Sequence, residues 1–110
     1  MITHIVMWTL KATADAAEFT SMLESCSNLV PGMQRFEVAC RTAGLEANCD
    51  VVLYSVFDST ESLAAYQNHP HHRQLSTALS ALRETRHVLD YKTRPIDQET
   101  FYDPYHSATL

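Results

Sequence analysis

The sequence predicts an α+β chain with a ferredoxin-like βαββαβ order. Two observations support this fold class: strand-like and helix-like apolar patterns alternate in that order, and prolines fall where helices must stop or start. The four strands would form one antiparallel sheet, with the helical regions on one of its faces. A length of 110 residues, 45% of them hydrophobic, suits a single packed domain.

Residues 2–9, ITHIVMWT, are mostly apolar or β-branched and predict the first strand. Every second residue, including His4 and Trp8, shares one face, while Ile5 and Met7 point to the other. Both faces therefore need cover, but the helices supply cover for only one of them. A second copy of the chain is the simplest cover for the other face, so we expect a homodimer that pairs through its sheets.

The next three elements follow from periodicity. Apolar residues recur every three or four positions across residues 14–29, which predicts a helix that Pro31 and Gly32 stop. Alternation across residues 33–41 predicts a half-buried strand. Residues 50–57, DVVLYSVF, form the most strand-like segment of the chain.

The second helical region begins at Asp58, with Glu61 three residues later as in a capping box. We expect a break near His69, because a residue that precedes proline avoids the α region. Pro70 then suits the first position of a new helix, where its missing N–H is not needed. Residues 87–93, HVLDYKT, are predicted to form the last strand.

The segment AYQNHPHHRQL, residues 65–75, holds three of the chain's six histidines. In an unbroken helix Tyr66 and His72 would lie about 240° apart around the axis. The break could turn both toward one space, which His4 would enter from the sheet. A neutral imidazole in the first turn of a helix is a candidate general base, and a tyrosine hydroxyl can stabilise an enolate.

Three segments, ITHIVMWTLK, DVVLYSVFDSTESLAAYQNHPHH and DYK, resemble the stress-responsive dimeric α/β-barrel (Dabb) family over residues 1–94. The resemblance extends to polyketide cyclases of the olivetolic acid cyclase type. It implies two sheets paired into a barrel, and an intramolecular aldol condensation that needs no metal or organic cofactor. It also implies His72 as the catalytic histidine, supported by Tyr66 and His4.

The sequence departs from the cyclase pattern where a sheet histidine is replaced by Val51 and a helix tyrosine by Leu23. Candidate substrate-binding residues are mostly apolar side chains of the sheet and first helix, together with the histidine before the proline: Val6, Trp8, Leu23, Val51, Leu53 and His69.

These features favour a cofactor-independent enzyme that acts on a small, partly apolar carbonyl compound by polyketide cyclase or aldol-type lyase chemistry. The alternative is a non-catalytic, stress-associated dimer that binds a small ligand. A cofactor-free monooxygenase is the third interpretation.

A metal site is not expected. His69 and His72 lie three positions apart and could bind a metal ion weakly, but no motif such as HExxH accompanies them.

Each candidate residue also has an ordinary structural interpretation. His72 could be an exposed first-turn residue, Tyr66 and His4 could be satisfied core residues, and His69 could simply cap the helix that Pro70 begins. His71 is expected to face solvent.

Composition argues against several partners. The formal net charge is −5 with no run of Lys or Arg, so nucleic acid and anionic membranes are poor candidates. The N-terminus lacks a secretory pattern, and no apolar run reaches the ~20 residues of a membrane span. Cys26, Cys40 and Cys49 form no CxxC pair, which indicates a reducing, cytoplasmic setting.

The domain is expected to span residues 1–94 and to be followed by an extended arm over residues 95–110. Two prolines and many polar residues in the arm argue against another packed layer. Phe101, Tyr102 and Tyr105 would anchor the arm in a groove, and we expect this groove on the partner subunit rather than on the same subunit.

Overall fold

A computed structural model describes residues 1–95 of the chain. Apart from Pro95, the predicted C-terminal arm, including its expected contact with a partner, lies outside the described residues. None of the helices within residues 1–95 has the length and apolar character needed to cross a membrane.

The ferredoxin-like α+β fold is confirmed. The strands are β1 (Ile2–Leu10), β2 (Met33–Cys40), β3 (Val51–Phe57) and β4 (Arg83–Lys92), and the helices are α1 (Ala16–Glu24), α2 (Thr60–Asn68) and α3 (Pro70–Ser80). A short 3-10 turn, Thr13–Asp15, precedes α1. The sheet order is β2-β3-β1-β4, with every neighbouring pair antiparallel.

The hydrophobic core lies between the three helices and one face of the sheet. From β1 it receives Val6, Trp8 and Leu10, which alternate with residues of the opposite face as a half-buried strand requires. Strand β3 adds Val51, Leu53 and Phe57, and the helices contribute Phe19, Leu23, Leu63, Tyr66, Leu75 and Leu79. Because β1 is a central strand, every inward side chain on it faces this core.

The other face of the sheet, here called the outer face, carries Ile5, Met7, Leu89 and Tyr91. Leu89 is 62% exposed and Met7 is 39% exposed, although both are large apolar side chains. No helix of residues 1–95 packs on this face, as the sequence predicted. An apolar surface of this kind normally marks a contact with another molecule.

Two helix boundaries differ from the sequence-based expectation. The first helix ends at Glu24 rather than at residue 29, and Asn28 adopts a left-handed φ of 59° in the turn that follows. The second helix is capped by Ser59, whose hydroxyl accepts from the Ser62 N–H at 3.1 Å, rather than by Asp58. Asp58 instead accepts from the hydroxyl of Ser62, because its side chain lies one position too early to serve the first free N–H groups.

The last strand is longer than predicted. It begins at Arg83 rather than at residue 87, so Arg83 and Arg86 belong to the sheet. The segment RETR has no apolar alternation, because nearly every residue of this edge strand is exposed. A periodicity argument therefore could not detect its start.

Gly32 provides a test of how the loop before β2 packs against the start of α2. Its φ is +90°, and a Cβ added there would clash with Ser62 Oγ and lie 2.6 Å from Asp58 Oδ1. These two atoms are hydrogen-bonded to each other, so neither can move away freely. We expect Gly32→Ala to lower the free energy of unfolding by about 3 kcal/mol, from backbone strain and overpacking together.

Gly44→Ala is the matched control, because Gly44 has a similar φ of +87° but open space around the added carbon. It should cost only the backbone strain, about 1 kcal/mol. Urea unfolding of the two variants measures the difference. Equal losses of stability would contradict the close packing at Gly32.

Candidate functional site

The helical region breaks at His69, as the sequence predicted. His69 has φ −62° and ψ 135°, an extended conformation, and Pro70 is the first residue of α3. The His69 side chain caps the new helix, because its Nδ1 accepts the backbone N–H of His71 at 3.1 Å. The structural interpretation of His69 as a cap is therefore confirmed.

The break brings three ring side chains together. The ring centroids of Tyr66 and His72 lie 4.6 Å apart in an edge-on arrangement, although one residue is in the last turn of α2 and the other in the first turn of α3. His4 reaches the same place from β1, with its ring centroid 6.4 Å from that of Tyr66. Phe57 supports the group from β3, 5.1 Å from the Tyr66 ring.

His4 is held by a carboxylate that the sequence analysis did not single out. It is 2% exposed, and its Nδ1 is paired with the Asp90 carboxylate on β4, which is the residue directly opposite in the strand register. Because a carboxylate only accepts hydrogen bonds, Nδ1 must carry the hydrogen. In a neutral ring, Nε2 of His4 is then free to accept a hydrogen bond.

Tyr66 is almost fully buried, at 1% exposure. Burial raises the pKa of its hydroxyl well above the ordinary value, and the neighbouring Cys26 thiol adds to the effect. Burial likewise raises the pKa of Cys26 itself. The phenol therefore stays protonated across the physiological range and can act as a hydrogen-bond donor.

The pKa of His72 is shifted in the opposite direction. Burial lowers the pKa of its imidazole below the ordinary value of 6.5, and the charges of His4 and Arg86 lower it further, against a smaller opposing effect from the Gln67 backbone. The ring is consequently neutral at pH 7. A neutral imidazole beside a protonated phenol is a combination suited to proton abstraction from a bound molecule.

These groups line a cavity of about 260 Å³ between the sheet and the helices. Its wall combines the rings with apolar side chains and, at one side, two arginines. The lining residues are His4, Val6, Trp8, Leu23, Leu53, Tyr66, His72, Leu75, Ser76, Leu79, Arg83 and Arg86.

Most of the residues that the sequence singled out meet at this cavity, and two do not. His4, Tyr66 and His72 line it, as do four of the six candidate substrate-binding residues, Val6, Trp8, Leu23 and Leu53. Val51 is buried in the core but lines a different groove, beside the β2–β3 loop. His69 caps α3 and is not part of the cavity wall.

Four residues that shape the site were missed as functional residues: Asp90, Arg83, Arg86 and Cys26. The alternation of β4 opposite β1 could have indicated Asp90 as a partner of His4, whereas the two arginines fell before the predicted start of that strand. His71, expected to face solvent, is only partly exposed and pairs through Nε2 with the Ser25 hydroxyl at 2.8 Å.

Within residues 1–95, no three His, Cys, Asp or Glu side chains cluster closely enough to hold a metal ion. His69 and His72 thus have no third ligand among the described residues.

Comparison with known families gives one match. Residues 2–93 match the family model for the stress responsive A/B barrel domain, Dabb. No curated protein matches the chain significantly by sequence.

Several solved structures share the fold. A dimeric ferredoxin-like protein of unknown function from Thermobifida fusca superposes with a TM-score of 0.74 at 20% identity, covering 84% of this chain and 90% of that one. A Dabb family protein from Mesorhizobium loti has a TM-score of 0.70 at 19% identity, covering 86% and 97%. SnoaB, a cofactor-independent oxygenase from Streptomyces nogalater, has a TM-score of 0.69 at 19% identity, covering 86% and 94%.

The electrostatics of the cavity predict the titration of His72. Its imidazole should titrate below pH 6.5 when its ring resonances are followed by NMR, because burial and nearby positive charge disfavour the imidazolium. Replacing Arg86 by Gln should move the midpoint upward. Replacing the exposed Lys11 by Gln is the control and should leave it unchanged. A midpoint at or above 6.5 in the wild-type chain would contradict this description of the site.

Proposed function

The chain belongs to the stress responsive A/B barrel domain family, and we propose that it is a cofactor-independent enzyme acting on a small, partly apolar carbonyl compound. The single observation that carries the proposal is the meeting of His4, Tyr66 and His72 at one cavity. Buried polar rings around an otherwise apolar space are typical of a small-molecule site.

The first step assigned to the site is removal of a proton next to a carbonyl group. The neutral His72 ring accepts the proton, the C–H electron pair becomes the enolate double bond, and negative charge develops on the carbonyl oxygen. A hydroxyl with a raised pKa, such as that of Tyr66, can donate a hydrogen bond to this oxygen without losing its proton.

The enolate carbon then attacks a second carbonyl of the same molecule, which forms a carbon–carbon bond and an alkoxide. The alkoxide takes the proton held by His72, and this transfer restores the neutral base. The overall reaction is an intramolecular aldol condensation, the chemistry of a polyketide cyclase or aldol-type lyase. Loss of water completes the condensation: His72 accepts a second α-proton and returns it to the departing hydroxide, which leaves as water.

His4 is proposed to orient the substrate or His72 rather than to take the proton. Its Nδ1 is occupied by Asp90, so the ring cannot turn freely, and its Nε2 lies at a fixed place from which it can hydrogen-bond to a ligand. A carboxylate that pairs with one ring nitrogen from a neighbouring strand commonly fixes the tautomer of a functional histidine.

A cofactor-free monooxygenase is the second candidate. The fold similarity to the oxygenase SnoaB favours it, and so does the presence of Trp8 in the cavity beside the histidines. Consumption of dissolved oxygen during turnover, measured with an oxygen electrode, separates this reaction from a condensation, which uses none. A ligand bound with no turnover would instead indicate the non-catalytic binding protein.

We further propose that the chain forms a homodimer through the outer face of the sheet. The exposed Met7, Leu89 and Tyr91 on this face support the proposal, as does the dimeric state stated for the similar protein from Thermobifida fusca. Pairing of two such faces would bury apolar side chains that no described helix covers.

Substitution of the two central rings tests the proposed chemistry. Once native mass spectrometry has identified a ligand that is turned over, His72→Ala should lower kcat by about 100-fold or more, because the general base is lost. Tyr66→Phe should lower kcat by about tenfold or more through loss of the oxyanion donor.

The matched control for this experiment is His71→Ala, which removes the adjacent histidine outside the cavity wall. It should keep kcat within about threefold of the wild-type value, as surface changes away from a site normally do. Full rates in both His72→Ala and Tyr66→Phe would rule out the proposed roles.

Two neighbouring residues of β4 test the dimer. Leu89→Glu places a charge on the outer face, whereas Val88→Glu places the same charge on the helix side of the same strand. Both positions are exposed, at 62% and 47%, so neither change disturbs the core of a single chain. Sedimentation should show a dimer for the wild type and for Val88→Glu, and a monomer for Leu89→Glu. A dimer that survives Leu89→Glu unchanged would exclude this interface.

A further inference from the structure

We propose that the ligand of this cavity carries a carboxylate, bound by Arg83 and Arg86, on an otherwise apolar body. The inference names the substrate class of the site assigned above and so rests on the proposed function. Neither arginine gives or takes a proton in the steps described for His72 and Tyr66, although the charge of Arg86 helps to lower the pKa of His72. Both nevertheless line the same cavity as those rings.

An irregularity in the sheet places both arginines on the cavity side. Residues three apart on a regular strand point to opposite faces. The pairing of β1 with β4 shifts between Thr9 and Leu10, however, so that Arg86 lies opposite Trp8 and Arg83 lies opposite Leu10. Glu84 is the extra residue of this bulge. Because Trp8 and Leu10 both face the core, their two partners share that side.

The two guanidinium groups have no carboxylate partner within residues 1–95. The ion pairs of this part of the chain join His4 to Asp90 and Arg41 to Asp50. Asp90, the acidic residue of β4 on the cavity side, is therefore already engaged by His4. Two arginines that face a cavity without a counter-ion from the described chain form a positively charged end in an otherwise apolar wall.

The chemistry of that end selects a carboxylate. The guanidinium fork donates two parallel hydrogen bonds that match the two oxygens of a carboxylate, and such charge-assisted bonds are stronger than neutral ones. An apolar environment strengthens the interaction further, since water competes less for the charges. A second arginine beside the first compensates the full negative charge of the ligand.

The rest of the wall indicates how the ligand lies. Val6, Leu23, Leu53, Leu75 and Leu79 make the body of the cavity apolar. Along β1, the arginines lie opposite Trp8 and Leu10, whereas Asp90 lies opposite His4. Trp8 lies four positions after His4 on the strand, about 13 Å away along the backbone. The carboxylate would thus bind toward the Trp8 and Leu10 end of the cavity, with the rest of the ligand extending along the apolar wall toward His4.

A binding experiment tests this without any knowledge of the reaction. Trp8 is the only tryptophan of the chain and lines the cavity, so its fluorescence reports occupancy. The probes are straight-chain carboxylates from butyrate to decanoate, each compared with the uncharged amide of the same length at pH 7. We expect the best-fitting carboxylate to bind about tenfold or more tightly than its amide, as a charge-assisted pair predicts.

Arginine variants then assign the preference to particular side chains. Arg86→Gln and Arg83→Gln should each weaken carboxylate binding by about tenfold while leaving amide binding within about twofold, which also shows that the cavity is intact. The matched control is Lys11→Gln, which removes one exposed positive charge just after β1, outside the cavity wall and the grooves beside it. It should leave carboxylate binding within about twofold of the wild-type value.

The proposal is overturned if the wild-type chain shows no preference for carboxylates over amides. It is also overturned if Lys11→Gln weakens carboxylate binding as much as the two cavity variants do, because the effect would then be general charge attraction. These outcomes leave the proposed chemistry intact, since it concerns turnover by His72 and Tyr66. Conversely, if the chain prefers carboxylates but catalyses no reaction, the proposed enzymatic function is wrong and the proposed carboxylate site stands.

Discussion

The site depends on one interruption of the backbone, between α2 and α3. A continuous helix would carry Tyr66 and His72 to different sides of its axis. Pro70 removes one backbone donor and forces its predecessor out of the helical region, and His69 then uses its own side chain to cap the helix that follows. The phenol and the imidazole consequently meet edge-on, with ring centroids 4.6 Å apart, which a regular helix would not allow.

Burial then gives the two rings complementary properties. Removal from water disfavours the charged form of any group, which raises the pKa of a phenol and lowers the pKa of an imidazole. The same apolar surroundings therefore keep Tyr66 as a donor and His72 as an acceptor. His4 points into the same space from β1, and Asp90, opposite it in the strand register, holds its ring. The chemistry thus arises from packing as much as from the identity of the residues.

Local rules allowed much of this to be predicted from the sequence. The break at His69 follows from the conformational limits of proline, and the inward face of β1 follows from simple alternation. Non-local pairing was the part that could not be foreseen. Asp90 and the two arginines of β4 meet the site through contacts with β1, far away in the sequence, and this edge strand carries no hydrophobic pattern to mark its start. The cap at Ser59 was missed because Asp58 offers an equally good capping side chain one residue earlier.

The bulge at Glu84 has an evolutionary consequence. It lies on an edge strand whose residues are almost all exposed, so the gain or loss of one residue there would disturb little of the core. Such a change would nevertheless alter which side chains of β4 face the cavity. The positively charged part of the cavity wall would then become neutral or acidic. Related chains could in this way acquire new ligands through single-residue insertions and deletions, while the rings around the proline stay as they are.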